Sequence, residues 1–109
     1  MTRTDIARAM YRAYETQDPS ALYEHLAPDL QFFSPADPGI DLTTYFERCW
    51  PNAGRTDSFE FKRLIEHDDE VIVTYEAATK AGTRFRNTEI LTFRDDQVIR
   101  VEVYFGWNL

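Results

Sequence analysis

One cysteine, two histidines and four glycines are spread over 109 residues, and each scarcity closes off a class of function. Cys49 on its own cannot form an internal disulfide, which fits a reducing compartment. His25, His67 and Cys49 stand at unrelated spacings, so no metal-ligand pattern arises. The glycines form neither a phosphate-cradling loop nor a nucleophile elbow. Basic residues are outnumbered, 12 against 19 acidic, for a net charge of −7. Nucleic acids and anionic membranes both select basic patches, so neither is an expected partner. No apolar run approaches the roughly 20 residues of a membrane helix. The N-terminal Met1-Thr2-Arg3-Thr4-Asp5 leads into an amphipathic pattern without an apolar signal core, so the expected location is cytoplasmic. Repeats, low-complexity tracts and linkers are missing too. The length suits one domain over residues 1–109 with a core that needs no staples.

Aromatic rings are plentiful. Phe, Tyr and Trp make up 15% of the chain, a composition suited to filling or lining an interior. Helical spacing comes first: Ile6, Ala9, Met10 and Ala13 form a stripe between Thr4 and Thr16. Asp18-Pro19 reads as the start of a short helix that carries Leu22 and Leu26 inward and stops before Pro28. Leu30 to Phe33 reads as a brief strand, followed by turn residues from Ser34 to Gly39. Asp41 caps a third helix with Leu42, Tyr45, Phe46, Cys49 and Trp50 at helical spacing.

The remainder alternates as strands do. Ser58 to His67 puts Phe59, Phe61 and Ile65 on one face. Glu70 to Thr79 groups Val71, Val73, Tyr75 and Ala77, and the last strand groups Ile99, Val101, Val103 and Phe105. Asp68-Asp69, Lys80-Ala81-Gly82 and Asp95-Asp96 are turns, so consecutive strands form an antiparallel meander. Helices followed by a meander give an α+β fold in which three helices pack in the concavity of a strongly curved antiparallel sheet. Such a sheet leaves a tapered cavity.

Within Thr83 to Phe93, one face carries Phe85, Asn87, Glu89, Leu91 and Phe93. A carboxylate in the middle of an apolar face is costly unless it is paired, hydrogen-bonded or protonated. Glu89 is therefore either a cavity acid or base, or a buried structural carboxylate with a partner. Asn87 beside it either orients a ligand or bonds within the sheet. Asp37 is a candidate general base at the cavity mouth or a plain turn residue before Pro38. Tyr14, Tyr75 and Trp50, with Phe59, Phe85, Val103 and Phe105, are candidate walls or plain core. The opposite face, with Arg84, Arg86, Arg94, Arg100, Glu102 and Tyr104, is either a dimer face with charges paired across strands or a solvated surface.

The chain resembles the nuclear-transport-factor-2-like superfamily, which includes ketosteroid isomerases and SnoaL-like polyketide cyclases. The resemblance rests on Ala13-Tyr14-Glu15-Thr16-Gln17-Asp18, on Leu26-Ala27-Pro28-Asp29-Leu30 leading to Phe33-Ser34-Pro35, and on Thr92 to Ile99 through Tyr104-Phe105-Gly106. It implies a cone-shaped α+β barrel with an apolar pocket at its open end, often a homodimer through the outer sheet face. Alignment back from Phe93-Arg94 sets Glu89 where the isomerases have a protonated aspartate that serves as an oxyanion-hole donor. Met10 falls at the oxyanion tyrosine, with Tyr11 and Tyr14 as neighbours and Tyr14 one turn further on the same side. Ser34 stands at the general base, and Asp37-Pro38 matches the family's Asp-Pro after a shift of three residues. Neither histidine matches the one used by SnoaL-like cyclases.

Three expectations of different class follow. One is an enzyme that moves protons without a cofactor on an apolar, carbonyl-containing molecule, with Glu89, Asp37 and Tyr14 as its groups. Another is a domain that binds an apolar small molecule without changing it. A third is a structural homodimer whose pocket is filled by its own rings.

Overall fold

The computed structural model describes residues 1–109. Its elements run α1 (Arg3–Thr16), α2 (Ser20–His25), β1 (Leu26–Ser34), β2 (Asp37–Ile40), α3 (Leu42–Cys49) and a 3₁₀ turn (Trp50–Gly54). There follow β3 (Thr56–His67), β4 (Glu70–Thr79), β5 (Arg84–Arg94) and β6 (Gln97–Asn108). No helix is long and apolar enough to cross a membrane.

Helix starts follow local chemistry. Thr2 and Asp5 form a reciprocal capping box on α1, and Asp41 accepts from the Thr44 amide at 2.9 Å on α3. Asp18 accepts from the Ser20 amide at 3.0 Å and so holds the entry to α2. The stripe that α1 buries is Ile6, Ala7, Met10, Tyr11 and Ala13. Ala9 is only half-buried, and Tyr11 takes its place in the interior.

The six strands form one curved, unclosed sheet in the order β2-β1-β6-β5-β4-β3. β3 to β6 are the expected antiparallel meander. The sheet as a whole is mixed, because β1 lies parallel to β6 with Phe32 opposite Val101. Alternation reveals which way side chains face. It is silent on the direction of a neighbour that arrives from the far end of the chain.

β1 also starts earlier than its apolar run, at Leu26, and carries Pro28 at an exposed position beside a register irregularity. Asp37 to Ile40 forms the edge strand β2 instead of a turn, so the hairpin turn is only Pro35-Ala36. Gly39 sits there at φ +84°, and a Cβ on it would come within 2.9 Å of the Phe33 ring.

Two bulges change which residues face inward. In β3, Phe61 pairs with Tyr75 but Arg63 pairs with Thr74, leaving Lys62 as the extra residue. Leu64 consequently packs on the core, and Ile65, expected inside, is 49% exposed. In β6 the register shifts next to Ile99, so Val98 is buried and Ile99 is not. Ile6, Leu22, Leu30, Val71, Val73, Leu91 and Val98 make the fully buried centre between α1, α2 and the concave sheet face.

Candidate active site

The concave face does not pack solid. A cavity of about 520 Å³ remains between α1, α3 and the inner faces of β4 to β6, and 18 of its 27 lining residues are hydrophobic. Met10, Leu22, Leu26, Leu91 and Val101 line it from buried positions, marking the blind end. Asn52, Arg55, Phe105, Trp107 and Asn108 line it from exposed positions, marking the mouth. That volume is in the range of small-molecule sites.

Glu89 projects from β5 into this space. Tyr11 on α1 donates to its Oε1 at 2.9 Å, and Tyr75 on β4 donates to its Oε2 at 2.6 Å. Asn87 Nδ2 donates to the Tyr75 hydroxyl at 3.3 Å, while the Gly106 amide donates to Asn87 Oδ1 at 3.2 Å. Gly106 makes that last contact because a bulge in β6 brings its backbone against Arg86, where a Cβ would lie 2.1 Å from the carbonyl oxygen. The polar run is thus continuous from the C-terminal strand to the carboxyl group.

No cation pairs with Glu89. Desolvation raises its pKa above the ordinary carboxylate value, and the hydrogen bonds from Tyr75 and Tyr11 offset only part of that. Its remaining surface exposure faces the cavity. Burial likewise pushes the Tyr11 and Tyr75 hydroxyls up, reinforced by the neighbouring Glu89 charge, so both act as donors.

A second pair of phenols lines the same cavity. The hydroxyls of Tyr14 on α1 and Tyr45 on α3 hydrogen-bond to each other. Two hydroxyls bonded in this way use one O–H between them and leave the other without a protein acceptor. Desolvation raises the pKa of both, so they stay protonated. Cys49 also lines the space, its thiol pushed up to about 11 by burial and so not a thiolate.

Asp37 lies on the same wall system but is already engaged. Ser34 Oγ donates to its Oδ2 at 2.7 Å, and Arg48 Nη1 lies 2.9 Å from Oδ1 as an ion pair without hydrogen-bond alignment. Asp37 is 8% exposed, whereas the Arg48 side chain is half exposed.

The residues expected at the site fall into two groups. Glu89, Asn87, Tyr75, Tyr14, Asp37, Phe59, Phe85, Val103 and Phe105 all line the cavity. Trp50 does not. It opens the 3₁₀ turn and stacks behind Tyr14 at 5.2 Å between ring centres, supporting that ring from outside. Tyr45 reads from its spacing only as a core position of α3 and Tyr11 only as a neighbour of Met10, yet they carry the partner hydroxyls. An i, i+4, i+7 stripe of Ala7, Tyr11 and Tyr14 on α1 was the available signal. No group of three or more His, Cys, Asp and Glu side chains is gathered anywhere as a metal site.

The SnoaL-like domain model matches residues 7–101. The chain belongs to that family, within the nuclear-transport-factor-2-like superfamily. No curated protein matches it. Among solved structures, a protein from Sinorhizobium meliloti provisionally assigned as a polyketide cyclase is 20% identical, with 95% of this chain and 100% of that one covered, at TM-score 0.76. A provisionally assigned ketosteroid isomerase from Kribbella flavida is 17% identical over 95% of this chain and 77% of its own, at TM-score 0.79. A de novo designed protein with a curved β-sheet reaches TM-score 0.82 at 14% identity, covering 97% of this chain and 88% of the design. Likeness at these identities is a likeness of fold alone.

Proposed function

We propose that this chain is a small-molecule enzyme that takes an apolar, carbonyl-bearing substrate into the cavity and moves a proton on it without a cofactor. The observation that carries this is Glu89: a desolvated carboxyl group on a cavity wall, gripped by two phenols and paired with no cation. A carboxyl group raised from its ordinary value is better matched to proton transfer near neutrality than a free one. Glu89 is assigned the proton transfer itself. The O–H left over from the Tyr14–Tyr45 pair supplies a hydrogen bond to the substrate oxygen, where negative charge develops as the proton leaves carbon. Asn87 and Tyr75 fix the direction of the carboxyl group. The names of the Sinorhizobium and Kribbella proteins are compatible with this class.

Asp37 is the other carboxylate within the cavity. Its carboxylate is already engaged by Arg48 and Ser34, tying β2 to α3, and is therefore less free than Glu89 to meet a substrate. That engagement also favours the rival reading, a binding domain that returns its ligand unchanged. An open volume of about 520 Å³ speaks against a module filled by its own rings.

Thermal-shift screening with steroids, polyketide-like aromatics, fatty acids and terpenoids identifies the ligand class, since native-state ligands raise the melting temperature. On a substrate so found, Glu89→Gln is expected to retain the fold and lower kcat by roughly 100-fold or more. Asp37→Asn is expected to lower it far less. Unchanged turnover in Glu89→Gln removes the assigned role, and a stabilising ligand recovered chemically intact transfers the case to the binding domain.

A further inference from the structure

The cavity holds three charged side chains, and they are arranged unequally. Asp37 has Arg48, and Glu89 has two phenols. Arg55, the one basic group on the lining, has no carboxylate within ion-pair distance. Its only side-chain bond is Nη1 to Asn52 Oδ1 at 3.3 Å, which leaves most of the guanidinium fork unpaired. In a chain with 19 acidic residues this is unusual placement: the other exposed mouth residues, Asn52, Phe105, Trp107 and Asn108, are uncharged. Arg55 is not a stray surface side chain either. Its amide donates to Asn52 O at 2.9 Å, and its carbonyl accepts from the Lys80 amide at 2.9 Å. These two bonds fix its backbone between the 3₁₀ turn and the β4–β5 connection, at the rim of the opening.

We propose that the ligand of this cavity is an apolar acid, bound with its carboxylate outward on Arg55 and its uncharged, reacting end inward against Glu89. This rests on the cavity being the ligand site. The orientation follows from charge. A carboxylate at the blind end would lie beside Glu89, where two like charges in a desolvated space disfavour one another. At the mouth it meets an unpaired guanidinium, whose planar fork matches a carboxylate in two-point geometry. Phe105 and Trp107 flank the same opening from β6 and offer ring surface to the apolar body as it passes inward.

Two fluorescent probes that differ only in charge test this: 8-anilinonaphthalene-1-sulfonate and its uncharged counterpart N-phenyl-1-naphthylamine. The wild type is expected to bind the anionic probe roughly twofold to fivefold more tightly, the range of a partly exposed ion pair. Arg55→Gln should erase that preference while leaving the neutral probe's affinity in place, Arg55→Lys should restore part of it, and added salt should weaken it. Dodecanoate should then displace the anionic probe better than dodecanol from the wild type, and equally well from Arg55→Gln. Equal binding of the two probes by the wild type, or a preference that survives Arg55→Gln, overturns the acid-binding proposal and leaves the cavity site standing. Failure of both probes to bind overturns the cavity site and this proposal with it.

Discussion

Glu89 was legible from the chain because it and Asn87 break a face that is otherwise aromatic and aliphatic. Its partners were not. Tyr11 and Tyr75 reach it from a helix and from a neighbouring strand, and residue spacing along one element says nothing about which side chain of another will meet it. The same holds for Tyr45, which sits at a core position of α3 and acquires a role only through Tyr14. At this scale pH is the informative variable. Burial raises the Glu89 pKa above its ordinary 4.5, so the folded state holds that proton more tightly than the unfolded chain does. As pH rises from the ordinary value to the raised one, the unfolded chain loses its proton first, and the folded state is progressively destabilised; above the raised value the loss is complete. Melting temperatures measured from pH 4 upward should therefore fall in the wild type relative to Glu89→Gln, in which nothing titrates at this position. A difference between the two that stays level across that range contradicts a desolvated carboxyl group.

Elements were legible wherever period and capping agree. The cap at Asp41, most of the α1 stripe and the alternation of β4 and β5 carry through into the fold, whereas α2 starts one residue later than expected, with Pro19 at the N-cap and Asp18 bonding the Ser20 amide from outside. What failed was parity. A strand's two-residue period runs correctly only until an extra residue is inserted, and Lys62 and the irregularity beside Ile99 each reverse the faces beyond them. Nothing in the composition near Lys62 announces the bulge, which arises where β3 follows the curvature of β4. The two leucine-sized side chains just beyond that parity change, Leu64 and Ile65, face opposite sides of the sheet. Leu64→Ala should cost about 2 kcal/mol or more, as a truncation against the core does. Ile65→Ala, on a side chain 49% exposed, should cost within about 0.5 kcal/mol. Urea denaturation of the two variants measures both, and a larger cost at Ile65 would place the bulge elsewhere.

For the molecule as a whole, the open question is the outer face of the sheet. Its charges are already matched in place: Glu76 lies 3.3 Å from Arg84, 3.7 Å from Arg86 and 3.9 Å from Lys62, while Arg100 lies 3.2 Å from Glu102. Tyr104, 53% exposed, donates to Glu102 at 2.8 Å. A sheet face that pairs its charges in place and carries an exposed ring is suited to meeting a second copy of itself, as the resemblance implies. Each copy nevertheless carries a net charge of −7, so two copies repel at long range, and that repulsion is screened within a Debye length of about 8 Å at 0.15 M salt. Sedimentation velocity should therefore show a species of twice the chain mass that grows as salt is raised from low ionic strength. Tyr104→Glu should return it to one chain mass by placing a second carboxylate beside Glu102. A single-chain mass at every salt concentration would leave this face to solvent. The opposite salt response is expected at the cavity mouth if Arg55 holds an acid there as proposed, so one salt series tests the proposed copy-to-copy surface and the proposed ligand mouth against each other.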